Sequence, residues 1–103
     1  MELLDWLTDW YASNCNQDWE HTYGISIATL DNPGWSIEID LIDTQLEGRQ
    51  LSEISMKNSD IDWYNISSTG KRFTGYGDGK KLNLLILKLK PLTNLTYFLK
   101  NGS

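Results

Sequence analysis

With 103 residues, 40% hydrophobic and 22% charged, the chain has the size and balance of one globular domain spanning 1–103. Its longest apolar stretch, Leu82 to Leu92, is broken by Asn83, Lys88, Lys90 and Pro91 and falls short of the roughly 20 residues that cross a bilayer. The net charge of −5 is unevenly spread: residues 1–48 hold ten acids and no Lys or Arg, while residues 70–103 hold seven bases against the single acid Asp78.

Residues 2–14 predict an amphipathic helix, because Leu3, Leu4, Leu7, Trp10 and Tyr11 recur at helical spacing. Ser13-Asn14-Cys15-Asn16 reads as its stop, since such side chains compete for backbone hydrogen bonds. Tyr23 to Leu30 alternates and predicts a strand. Asp31-Asn32-Pro33-Gly34 predicts a turn, with Pro presetting one dihedral and Gly taking a positive one. Trp35 to Leu41 alternates cleanly, with Trp35, Ile37, Ile39 and Leu41 inward and Ser36, Glu38 and Asp40 outward.

Three further strands are expected at about Leu51 to Lys57, Ile61 to Ser67 and Lys71 to Tyr76. Asp78 is a candidate N-cap for a helix over Lys80 to Lys90, with a strand as the competing reading of the same residues. Pro91 ends that element, and Leu92 to Leu99 in the 91–103 tail fits a strand, a helical turn or a loose end. The expected fold is α+β: an N-terminal helix, about five antiparallel strands in a meander, and a C-terminal helix or further strand over 80–90.

Enzyme signals are poor. His21 is the only histidine, and Cys15, six residues earlier, is the only thiol. Nothing in that spacing brings the pair into hydrogen-bond reach, so an isolated thiol and a surface imidazole are the plainer reading. Asp18, Glu20 and His21 are metal-type donors crowded into four residues, without the spaced pairs of a zinc or calcium site. Gly75, Gly77 and Gly79 lack the Gly-Lys-Ser/Thr ending of a phosphate loop and read as a turn. No cofactor is expected. The basic third offers contacts to phosphates, but the acidic half would repel the same polymer, so nucleic acid is not the expected partner.

A lone cysteine suits a reducing compartment, and Met1-Glu2-Leu3-Leu4-Asp5 has no basic leader, so a cytoplasmic protein is expected. On that basis the Asn-x-Ser/Thr triplets at Asn65, Asn94 and Asn101 are chance matches. Among the five tryptophans, Trp10 and Trp35 lie on apolar stripes. Trp19, in a polar stretch, either plugs the helix end against the sheet or belongs to a contact surface, and Trp63 is open in the same way.

Trp10-Tyr11, Asn14-Cys15, Asp18-Trp19-Glu20-His21, Tyr23-Gly24-Ile25 and Thr29-Leu30-Asp31-Asn32-Pro33-Gly34-Trp35 together resemble the immunity protein 53 family of bacterial polymorphic toxin systems. The Trp-Glu pair and the Pro-Gly-Trp turn are the most specific marks, Gly75-Tyr76-Gly77-Asp78 is compatible, and the resemblance covers about residues 1–80. It implies an α+β protein that binds and neutralises a toxin encoded beside it, and it designates no binding residue. Charge then suggests where. Glu38 and Asp40 on the hairpin's outer face, with Asp31, Asp43 and Glu20 nearby in sequence, would meet a basic toxin surface, and Trp19 or Trp63 would anchor it. The competing reading has these acids satisfied by the chain's own basic third. The alternatives in function are an adaptor or structural subunit, or a small enzyme using Cys15 and His21.

Overall fold

The structure, a computed structural model, describes residues 2–90. Helix α1 (Leu3–Asn14) and the single-turn helix α2 (Trp19–Thr22) precede five strands: β1 (Ile25–Leu30), β2 (Gly34–Asp40), β3 (Gln50–Ser59), β4 (Asp62–Thr69) and β5 (Arg72–Gly77). A third helix, α3, occupies 82–90. Residues 80–90 are thus helical from 82 onward, and the strand reading is set aside. The expected stop at Pro91 and the open reading of 92–99 lie outside the described residues.

All strand pairs are antiparallel, in the order β1-β2-β5-β4-β3. The sheet is therefore a β1–β2 hairpin and a β3-β4-β5 meander joined between β2 and β5. The link that allows this is the 41–49 connection, which crosses the end of the sheet instead of turning back beside β2. Leu41 and Leu46 are fully buried and anchor it. Its backbone bonds the β4–β5 turn at Leu41 N to Lys71 O (2.8 Å) and Gly48 N to Gly70 O (2.7 Å). Gly70 (φ 90°) and Gly48 (φ 86°) supply the left-handed conformations needed there.

The inward residues follow the period of two. Ile37 and Ile39 of β2, Phe73 of β5 and Ile66 of β4 are buried with Leu7 and Trp10 of α1 and Leu85, Ile86 and Leu89 of α3. Both long helices lie on this one face. In α1 the packed stripe is Leu3, Trp6, Leu7 and Trp10, whereas Leu4 is 62% exposed. The helix is rotated so that Trp6 takes the place expected of Leu4, because the larger ring covers more of the sheet. At its C-terminus Ser13 Oγ and Asn14 Nδ2 both donate to the Trp10 carbonyl, at 2.7 and 2.8 Å, which is the side-chain competition expected of the stop.

Gly34 corrects one expectation. Its φ is not in the left-handed region, which among the described residues holds Gln17, Asp43, Gly48 and Gly70. Glycine is required there for close approach: a Cβ at Gly34 would collide with the Gly77 carbonyl. Gly75 is similarly tight, since a Cβ would stand 3.0 Å from Ile37 Cγ2 and 3.2 Å from Leu85 Cδ2. Gly75 lets Leu85 of α3 settle onto the middle of the sheet, while Gly34 lets the start of β2 lie close against β5.

Candidate partner-binding surface

Because the long helices share one face, the other face of the sheet has no helix over it among the described residues. Register places its side chains in rows. Ala28, Ser36, Tyr76, Asn65 and Ser55 stand side by side across all five strands. Ser26, Glu38, Thr74 and Ser67 form the next row, and Asp40 and Arg72 are opposed at the end of β2 and β5. Tyr76 lies on the central strand and is 37% exposed, because its cross-strand neighbours Ser36 and Asn65 are too small to cover the ring. Trp63, half-buried and opposite Lys57, holds the position diagonal to it on β4. Rigid rings among short hydroxyl and amide side chains supply contact area at low entropic cost with adaptable hydrogen bonding around it.

The charged cluster on β2 and β5 at this face is small. Arg72 Nε donates to Asp40 Oδ1 at 3.1 Å, and Arg72 Nη1 lies 3.5 Å from Glu38 Oε2. The acidic and basic parts of the chain therefore meet here, as the competing reading had it. One guanidinium against two carboxylates leaves a net negative charge. Such exposed pairs contribute little to stability, about 0–1 kcal/mol. Asp40 has a second duty, since its Oδ2 accepts the Gly24 N–H at 3.0 Å and secures the start of β1.

The remaining expected contact residues are dispersed. Asp31 is exposed in the β1–β2 turn, and Asp43 is exposed in the 41–49 connection at the opposite end of β2. Glu20 accepts the N–H groups of Asn16 and Gln17, at 2.9 and 2.8 Å, bracing a loop in which Gln17 has φ 80°. Hydrogen bonding, foremost from its own backbone N–H, holds the Glu20 carboxyl below its usual range. Trp19 is withdrawn from the contact set. It is 3% exposed, its indole N–H donates to the Ile42 carbonyl at 2.9 Å, and Trp10, Tyr11 and Tyr23 pack around it. It plugs the end of α1 against the sheet, since burying the ring while satisfying its one polar atom leaves nothing to expose.

Tyr76 was missed by sequence reading. Its place between two glycines suggests a loop, whereas the glycines serve close packing on the inner face and the tyrosine faces out. A second arrangement was also hidden. Lys81 Nζ lies 2.7 Å from both Asp62 Oδ1 and Asp78 Oδ2, and Asp78 further accepts the N–H groups of Trp63 and Lys80, each at 2.9 Å. Asp78 thus ties β4 to the turn before α3 and is not the expected cap, since α3 begins at 82 and the N–H groups its carboxylate accepts lie outside the helix. The Lys81 ammonium beside it is the main cause that holds its carboxyl at about 2.

Cys15 Sγ contacts the Tyr11 carbonyl at 3.4 Å, and no hydrogen bond joins it to His21 among the described residues. Among them also, no group of three His, Cys, Asp or Glu is placed to hold a metal ion, and no helix is long and apolar enough to cross a membrane.

The architecture defines a small α+β protein with one face of its sheet packed and the other open. The chain matches the Immunity protein 53 family over residues 4–94, most of its length, and belongs to that family. Comparison with curated proteins and with solved structures returned no match.

Proposed function

We propose that this protein binds a cognate toxin of a bacterial polymorphic toxin system in the cytoplasm and neutralises it by direct contact through the open face of the sheet. Family membership supports the role. The observation that carries the surface is Tyr76, an exposed ring at the centre of an otherwise short-chained, hydrogen-bonding face. Trp63 borders it on one strand, and the net-negative Glu38–Asp40–Arg72 cluster on the other suits a toxin with basic residues at the contact.

Co-expression tests the role. Cells carrying the toxin encoded by the adjacent gene should survive only with this protein present, and equal killing in both cultures would refute it. The surface is tested by Tyr76→Ala in the same assay. The ring makes no described contact with the core, so the variant should fold and yet protect poorly.

A further inference from the structure

The two edges of the sheet are unlike. β3 is broken by register shifts between Leu51 and Ile54 and between Lys57 and Ser59, and it carries Glu53 and Lys57. Bulges and charges of this kind keep an edge from pairing with another chain. β1, at the other edge, is Ile-Ser-Ile-Ala-Thr-Leu, with no charge, no proline and an unbroken register from Ile25 to Leu30. Ser26, Ile27, Ala28 and Thr29 are all exposed.

The hydrogen-bonding phase of β1 follows from one contact. Asp40 N donates to Gly24 O at 3.0 Å, which marks residue 24 as facing β2. In an antiparallel pair alternate residues bond the partner, so Ser26, Ala28 and Leu30 face β2 and Ile25, Ile27 and Thr29 direct their N–H and C=O groups outward. Among the described residues these groups have no partner strand.

A hollow lies on each side of that edge. On the helix side Leu7, Thr8 and Tyr11 of α1 face Tyr23 and Ile25 across an apolar groove. On the open side Ser26, Glu38, Asp40 and Arg72 line a polar one. A strand added to β1 would send alternate side chains into these two hollows, apolar residues into the first and basic residues into the second. The elements around the edge supply only acids, namely Glu2, Asp5 and Asp9 on and beside α1, Asp18 and Glu20 at α2, Asp31 in the turn, and Glu38 and Asp40 on β2. Arg72 is the single cation described at the hollow.

We infer that β1 receives an extended segment of the toxin, with alternating apolar and basic residues, as a sixth strand of the sheet. Backbone bonds to Ile25, Ile27 and Thr29 supply affinity, and the two hollows supply selectivity. A second copy of this chain is disfavoured at the same place, because pairing β1 with its own copy would bring together two base-free segments of residues 2–48. The inference rests on the immunity reading and adds an edge contact beside the open face.

The test is residue-resolved amide exchange on the full chain, free and mixed with a non-lethal variant of the toxin from the adjacent gene. In the free protein the amides of Ile25, Ile27 and Thr29 should exchange fast and those of Ser26, Ala28 and Leu30 slowly. In the complex the first three should become protected. Thr29→Pro removes one outward N–H without touching the β2 ladder, and it should weaken the complex at least about tenfold while leaving the β2-facing amides protected. A complex in which the outward amides still exchange fast overturns the inference alone. Protection already present in the free protein also overturns it, by a second copy if it rises with concentration and by the chain's own tail if it is lost on deleting 91–103. Failure to form any complex overturns the immunity reading and this inference with it.

Discussion

The Lys81 ammonium stands 2.7 Å from the Asp78 carboxylate, one turn away in sequence and with both side chains largely buried. Asp78 is held at about 2 against an ordinary value of 3.8. A depressed carboxyl contributes stability that is complete above its unfolded value and lost as pH falls through the folded one. Asp62, lowered by the same ammonium, acts in the same direction. The melting temperature should therefore drop between about pH 4 and about pH 2. Asp78→Asn should melt lower than the parent at neutral pH and converge with it in acid, as thermal melts across this range will report. Parallel curves would count against the assignment.

Gly77 stands directly beneath this pair. A Cβ there would lie 2.6 Å from Lys81 Cβ, so Gly77→Ala must push the start of α3 away from the sheet. Overpacking of this kind costs about 1–3 kcal/mol. Denaturant titration should show that loss, while Gly79→Ala, where a Cβ meets nothing within 4 Å, should lose much less.

Trp19→Phe keeps an aromatic ring but loses part of the indole's volume together with the bond to the Ile42 carbonyl. The loss should be about 1–3 kcal/mol, from the part-buried acceptor left unpaired and the space the smaller ring leaves. Binding of the folded variant to the toxin should be unchanged. A large affinity loss with stability intact would return Trp19 to the contact surface.

On the proposed contact face two substitutions should separate kinetically. Tyr76→Ala should act on dissociation and cost about 2 kcal/mol if the ring is a desolvated anchor. Glu38→Lys should act on association and lose its effect at high salt. Asp40 is the poorer probe, because it also holds the Gly24 amide. Stopped-flow binding at two ionic strengths distinguishes these outcomes.

The local features of this fold were legible in the residues. The α1 periodicity, the strand alternation of 23–30 and 35–41, and the three later strands all appear within two or three residues of their expected limits. What escaped was long-range. Strand order depends on Leu41 and Leu46 anchoring a connection across the sheet, and hydrophobic periodicity carries no information about which strands become neighbours. The glycines of 75–79 read as a loop because a close approach to α3 leaves the same residue type as a turn. Among the candidate contact residues, Glu38, Asp40 and Trp63 do face outward from the sheet, and Asp31 and Asp43 are exposed at opposite ends of β2. Trp19 is buried, since a polar sequence neighbourhood says nothing of what folds over it. Tyr76 emerged only once β5 was placed at the centre.

That central placement bears on synthesis. β5 is the last strand in the described chain, yet it alone joins the β1–β2 hairpin to the rest of the sheet. A nascent chain that has reached only residue 71 holds two separate hairpins, and isolated hairpins are marginal in water. Tyr76, Asp78 and the glycines that seat α3 all arrive after that point. Folding therefore waits on translation past β5, and a message cut short before β5 yields chains with no partly working form. Protection would track completed chains rather than transcripts.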